Sequence, residues 1–121
     1  MLKATNTLEL LANIEQKNLF LKVIDQINKD FQLANLNERV NSKISPLELI
    51  ELLKGLLLKL INNHYDDYLN FLYRVDVSEK ELLTIQENDL PKIIEKITFV
   101  VLKRECQKVW FKKNFENLNP L

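Results

Sequence analysis

The residues whose chemistry could support catalysis are Cys106, His64 and the adjacent pair Asp66 and Asp67. A cysteine nucleophile needs a basic partner, and Cys106 could meet His64 only through the fold. Neighbouring side chains point about 100° apart on a helix, so the two aspartates are poorly placed to act as an acid and base pair. We therefore predict a solvated acidic face at the aspartates, a small buried side chain at Cys106 and no enzymatic activity.

Metal and cofactor sites also lack the residues that they need. A di-iron helical bundle requires Glu-x-x-His on two helices, but the residue three positions before His64 is Ile61, and the chain has one histidine. A zinc site formed by His64, Cys106 and a nearby aspartate has no supporting spacing. Phosphate-binding loops and dinucleotide turns need several glycines, whereas Gly55 is the only glycine in the chain. We predict no metal and no cofactor.

Arg74 lies within the apolar run FLYRVDV and can be buried there only if it is paired. Asp76 and Glu105 are its candidate partners, so we predict a structural ion pair among Arg74, Asp76 and Glu105. The alternative is an arginine that binds an anion. In that case Arg74, Tyr65 and Tyr73 would line a site for a small apolar or anionic ligand beside the central helix.

The last predicted helix carries two apolar stripes on nearly opposite sides. One stripe contains Ile93, Ile94, Ile97, Val100 and Val101, and the other contains Phe99, Leu102, Cys106, Val109 and Trp110. Either this helix lies between two layers of the fold, or one stripe contacts another chain. We predict that the second stripe, with Trp110, is the interface.

The distribution of charge bears on the partner. The formal net charge is zero, with 17 basic and 17 acidic residues, which gives no electrostatic case for nucleic acid or an anionic membrane. Acidic residues are in excess over 46–90 and basic residues over 91–121. The two segments either face each other within the fold, or the basic one reaches a second copy or an acidic partner. We predict a protein partner or homo-oligomer, and no nucleic acid.

Several features predict the compartment. The first ten residues lack the apolar core of a secretory signal, and the apolar tract 47–61 is shorter than the roughly 20 residues that span a bilayer. A single cysteine excludes an internal disulfide framework. We predict a soluble cytoplasmic protein with no membrane contact, and the frequent Lys, Asn and Ile residues fit an AT-rich bacterial genome.

Apolar periodicity predicts an all-α single domain over 1–121, a bundle of four to five helices. The most apolar helix, 46–62, is placed at the centre and starts with a capping box of Ser45 and Glu48. Gly55 in this helix is either tolerated on a solvent-facing stripe or admits a close neighbour. The other helices span about 8–33, 65–75, 79–87 and 91–114. The first of them could be interrupted near 16–18, where its apolar face shifts. The helix 79–87 is predicted from a capping box of Ser78 and Glu81.

Three segments resemble a known group of proteins. They are INKDFQLAN at 27–35, LNFLYRVDVSEKEL at 69–82 and ITFVVLKRECQKVWF at 97–111. Similar runs follow one another in this order in a family of small, uncharacterised bacterial conserved hypothetical proteins. The resemblance implies one intact domain and assigns no catalytic residue. Together with the residues above, it leads us to expect a non-enzymatic helical interaction module, self-associating through the last helix.

Overall fold

The computed structural model describes residues 4–118, and the side chains of 4–115, as one all-α domain. The described helices are α1 Thr7–Gln16, α2 Phe20–Leu33, α3 Pro46–Asn63, α4 Tyr65–Val75, α5 Glu79–Leu83 and α6 Leu90–Leu118. The predicted fold class is confirmed, while both ends of the predicted domain 1–121 lie outside the described residues. Over the described range, none of the helices has the length and apolar character needed to cross a membrane.

The predicted first helix is divided into α1 and α2 at Asn18, where the apolar face shifts. Asn18 has a left-handed backbone, with φ 57°. Its N–H donates to Glu15 O at 3.0 Å, and the N–H of Leu19 donates to Ile14 O at 3.1 Å. These two bonds form a Schellman motif, which satisfies the last carbonyls of α1 and turns the chain into α2.

The same motif ends α2 and α4, where Asn35 and Asp76 adopt φ angles of 58° and 70°. In α2 the N–H of Leu36 donates to Phe31 O at 2.9 Å, and the equivalent bond in α4 is 3.2 Å long. Glycine usually fills this left-handed position because it has no Cβ, and asparagine and aspartate are the next most tolerant residues. A chain with one glycine therefore ends three of its helices with Asn or Asp.

α3 begins with the predicted capping box. The Ser45 hydroxyl accepts from the Glu48 N–H at 3.2 Å, and the Glu48 carboxylate accepts from the Ser45 N–H at 3.1 Å. Gly55 lies on the exposed side of α3, and a Cβ at that position would meet nothing within 4 Å. Gly55 is thus a tolerated solvent-facing residue. The opposite side buries Leu49, Ile50, Leu53, Leu56, Leu57 and Leu60.

The long connection between α2 and α3 is fixed by Asn28. Its side-chain amide donates to Val40 O at 3.0 Å, and its side-chain oxygen accepts from the Val40 N–H at 2.7 Å. This pair of bonds satisfies the backbone of a loop residue whose side chain is itself buried.

α4 matches the predicted span 65–75, whereas α5 ends at Leu83, before the predicted residue 87. The predicted capping box of Ser78 and Glu81 does not form, because the Ser78 side chain makes no capping hydrogen bond. The Glu81 carboxylate lies 3.1 Å from Lys103 Nζ on α6 instead. The Glu81 carboxylate, which would have completed the capping box, therefore forms a tertiary ion pair instead.

α6 is the helix on which the others assemble. It has 29 residues, about 43 Å at 1.5 Å per residue, and it contacts each of the other five helices. The predicted central helix, α3, contacts α1, α4 and α6. α6 can serve all five neighbours because both of its apolar stripes contribute to the core, which includes Ile94, Ile97, Val101, Leu102, Cys106 and Val109.

Candidate functional site

The predicted interface on α6 does not form a free surface. Leu102, Cys106 and Val109 are buried in the same core cluster as residues of α1 and α2, and both of those helices pack against α6. A second chain could reach these three side chains only if α6 left the core. The structure therefore contradicts the interface prediction and corresponds to the other arrangement, in which α6 lies between two layers.

Phe99 and Trp110, the two ends of the predicted interface, are half-buried. Lys17 Nζ lies 4.8 Å from the centroid of the Trp110 ring, so the end of α1 covers part of the indole through a cation–π contact. Phe99 contributes to an open groove of about 550 Å³ between the start of α1, α5 and α6. Because three glutamates and three lysines line that groove, it favours neither an anionic nor a cationic ligand. These residues are Glu81, Glu87, Glu95, Lys92, Lys96 and Lys103.

The predicted ion pair of Arg74 is not formed among the described residues. Arg74 is exposed, and its guanidinium carbon lies 5.6 Å from the centroid of the Tyr73 ring. Asp76 pairs with Arg104 instead: Nη2 donates to the carboxylate at 2.9 Å and Nε donates to Asp76 O at 3.0 Å. The left-handed backbone of Asp76 directs both acceptors to α6, which is why Arg104 takes the place predicted for Arg74.

Glu105, the other predicted partner, belongs to a buried cluster with Asp30 and Lys108. Lys108 Nζ lies 2.5 Å from Asp30 Oδ2 and 2.7 Å from Glu105 Oε1, and Gln26 Nε2 donates to Asp30 Oδ1 at 3.3 Å. Glu105 has no exposed surface and Asp30 is almost fully buried. Two carboxyl groups thus share one ammonium group where α2 meets α6.

Glu105 is the protonated member of this cluster at neutral pH. The contact from Lys108 does not have hydrogen-bond geometry, so neither carboxyl oxygen of an ionised Glu105 has a hydrogen-bond partner. Burial, followed by the hydrogen bond and the negative charge of Asp30, raises the pKa of Glu105 to about 9, despite the opposing effect of Lys108. A protonated Glu105 donates to Asp30, and the cluster then holds one ion pair and no excess charge.

The residues considered for catalysis lie in unrelated settings. Cys106 is fully buried, and burial raises the pKa of its thiol to about 12, so the nucleophilic thiolate is not populated at neutral pH. His64, Asp66 and Asp67 are exposed at the junction of α3 and α4. Among the described side chains, those of residues 4–115, no three His, Cys, Asp or Glu groups are placed so that they could hold a metal ion.

The acidic and basic segments face each other at three points. Lys96 lies 3.8 Å from Glu87, Lys103 pairs with Glu81, and Arg104 pairs with Asp76. Each pair joins α6 to a residue between 76 and 87. Intramolecular pairing therefore accounts for a large part of the charge asymmetry read from the sequence.

Tyr65, Tyr73 and Arg74, proposed from the sequence as the lining of a ligand site, are open to solvent. Between α3 and α4 the core is filled by buried side chains, including Leu60, Tyr68, Phe71 and Leu72. Tyr65 and Tyr73 instead belong to an exposed apolar face of α4, defined by Tyr65, Leu69 and Tyr73, which are 56%, 48% and 74% exposed. Their spacing of four residues places them in one row along the helix.

Two of the three side chains of the α4 face are held by neighbours. The ring centroids of Tyr65 and buried Tyr68 are 5.5 Å apart, and the Arg74 guanidinium packs near the ring of Tyr73. Such contacts reduce the rotamer freedom that a side chain loses on binding.

No family model matches the chain, and neither the curated proteins nor the solved structures give a match. The resemblance to a family of bacterial conserved hypothetical proteins therefore stays a prediction.

Proposed function

We propose that this protein is a non-enzymatic, cytoplasmic interaction module that forms a homodimer through the α4 face. The observation that carries the proposal is the row of Tyr65, Leu69 and Tyr73, three large side chains that stay exposed while most residues of both α6 stripes are buried. Tyrosine and arginine are enriched at the energetically important positions of protein interfaces. The chain has a single cysteine and so allows no internal disulfide, which suits a reducing compartment.

The occupant of the α4 face is a second copy, because the face is complementary to itself. In an antiparallel pair of α4 helices, Leu69 lies on the twofold axis and Tyr65 of each copy meets Tyr73 of the other. The same arrangement brings Arg74 alongside the first turn of the opposite α4, which carries Asp66 and Asp67. Arg74 has no acidic partner among the described residues of its own chain. Twofold dimers require this kind of self-complementary patch.

The size of the face sets the expected affinity. An 11-residue helix is about 16 Å long, and a pair of such helices buries less than the roughly 1,600 Å² of a standard stable interface. Leu33 adds exposed apolar surface at the end of α2, which lies beside α4 through a 3.3 Å hydrogen bond from Asn70 to Ala34 O. We expect a dimer that dissociates over the micromolar range.

The first test is sedimentation velocity of the full chain at concentrations from about 1 µM to 1 mM. The wild type should shift from monomer to dimer, whereas Leu69→Lys, which places two like charges on the twofold axis, should remain monomeric. Leu83→Lys on α5 is the matched control, because Leu83 is 81% exposed and lies outside the α4 face. A monomeric wild type, or equal loss of dimer in both variants, would refute the homodimer.

A mixing experiment tests the antiparallel arrangement. Arg74→Glu alone, and Asp66→Lys with Asp67→Lys in a second chain, should each dimerise weakly because like charges face each other. When the two variants are mixed, both sets of charges become complementary, and a heterodimer should form. If mixing restores no association, the helices do not pair in this way.

A further inference from the structure

The structure brings four lysines of two helices to one groove. Lys22 and Lys29 of α2 face Lys112 and Lys113 of α6 across a groove of about 290 Å³, and Asp25 is the acidic residue along it. The sequence places the two lysine pairs more than 80 positions apart, and the antiparallel packing of α2 on α6 joins them. We propose that this basic groove, defined by the four lysines, binds a small anion carrying two or more phosphate groups.

The charge of the groove is not neutralised within the described part of the chain. Lys96, Lys103, Arg104 and Lys108 of α6 are all within 4 Å of an acidic oxygen, whereas no such ion pair involves the four lysines of the basic groove. Four cations gathered around one concave surface repel each other, which an anion in the groove would relieve. Lysine ammonium groups are common phosphate ligands and act as point charges with three donors.

The inner end of the groove is held by buried contacts. Val109 is buried beneath it, and the side chain of Gln26, which also lines the groove, donates to the buried Asp30. Asp30 in turn is paired with Lys108, so α2 and α6 are joined by buried polar contacts next to the groove. These contacts set the separation of the backbones that carry the four lysines, so we expect binding not to require the helices to be brought together.

The dimensions select a small ligand. Lys22 and Lys29 are seven residues apart, about 10 Å along the helix axis, and the groove volume is at the lower end of the range for small-molecule sites. One anionic group could contact the lysines at each end, which a single monovalent anion could not do. A chain with two or three linked phosphates fits this spacing, and the balanced charge elsewhere on the molecule offers no extended track for a nucleic acid.

The test uses isothermal titration of the full chain with pyrophosphate and tripolyphosphate at constant ionic strength. Lys22→Gln with Lys113→Gln should weaken binding by at least about tenfold, because it removes two lysines and the loss of one charge-assisted hydrogen bond already has an effect of about that size. Lys43→Gln with Lys59→Gln removes the same charge at exposed positions away from the groove and should bind like the wild type. Equal weakening in both double variants, or no binding by the wild type, would overturn the proposal.

Amide chemical shifts locate the ligand independently. Titration with tripolyphosphate should move the signals of residues 22–29 and 109–113, and leave those of α3 and α5 unchanged. Shifts spread over the whole surface would overturn the assignment. Tighter binding of a single-stranded oligonucleotide than of tripolyphosphate would also overturn it, in favour of a nucleic-acid site. The α4 face is not involved, so this site and the homodimer can fail separately.

Discussion

Glu105 is a carboxyl group with no exposed surface, and its protonation affects stability. In the unfolded chain its pKa is close to the ordinary value of 4.5, whereas in the folded protein it is about 9. Between these values the folded state holds a proton that the unfolded state has released. The stability contributed by protonated Glu105 is therefore complete below about pH 4.5 and decreases as the pH rises towards 9.

Replacing Glu105 by glutamine should remove this dependence. Glu105→Gln is expected to raise the free energy of unfolding at pH 8 by up to about 5 kcal/mol, since pH 8 lies about 3.5 units above the unfolded pKa, and to change it little at pH 4. The amide stays neutral and keeps a donor for Asp30, while Lys108 keeps its ion pair. Urea unfolding at the two pH values measures the effect. A gain of the same size at both would show that Glu105 is not the titrating group.

Lys108→Met provides the opposite control for the same cluster. It leaves Asp30 and Glu105 buried without a cation, which should lower the free energy of unfolding by about 3 kcal/mol or more. The sequence gives a signal for this cluster, because Asp30 lies on the apolar face of α2 between Ile27 and Phe31. It does not give the partner, because spacing places a residue on a helix face without saying which helix packs against it.

Helix ends are a feature of single elements, and here their chemistry is unusual. Asn18, Asn35 and Asp76 occupy the left-handed position that glycine fills in most Schellman motifs. A side chain with Cβ is strained there, and only Asn and Asp reduce the cost through local hydrogen bonding. Asp76 has the added contact with Arg104, so Asn35 isolates the backbone effect most clearly.

Asn35→Ala should therefore lower the free energy of unfolding by about 1 kcal/mol, whereas Asn35→Gly should preserve or raise it. Thermal or urea denaturation of the two variants gives the comparison. Asn37→Ala, at an exposed position in the following loop, serves as the control and should change stability by less than about 0.5 kcal/mol. Equal effects of alanine and glycine at position 35 would mean that backbone strain is not what asparagine relieves.

Element boundaries were predictable where the signal is local. The start of α3 follows from Ser45, Pro46 and Glu48, since all the atoms of its capping box lie within four residues. α5 also begins at Glu79 after Ser78, as the same pattern predicts, but its capping box does not form, and the Glu81 carboxylate pairs with Lys103, 22 residues away. The interruption at Asn18 was visible only as a shift of the apolar face, because asparagine marks a helix end less clearly than glycine does.

The whole molecule is organised around α6, which contacts every other helix. The two stripes of α6 were recognised in the sequence, but whether the second was covered by the chain itself or by another copy depends on how α1 and α2 fold back. How the second stripe is covered therefore depends on tertiary packing. Because α1 and α2 cover it, the candidate interface is on α4 and not on α6. The all-α class was predictable because it depends on periodicity alone.

This organisation predicts a gradient of hydrogen exchange. The amides of residues 98–106 should exchange only through global unfolding, because that part of α6 is covered by buried side chains on both sides. α5 has no buried residue and contacts α6 alone, so its amides should exchange fastest among the helices other than the chain ends. Exchange measured by mass spectrometry should resolve the two segments. Similar protection in α5 and in 98–106 would show that the fold opens as one unit.

Because the pKa of Glu105 is raised in the folded protein, folding also takes up a proton from the solvent. At neutral pH each chain that folds removes one proton from solution, and each chain that unfolds returns it. The heat of unfolding will consequently include the protonation heat of whichever buffer accepts that proton, and calorimetric enthalpies measured in two different buffers will differ by that amount.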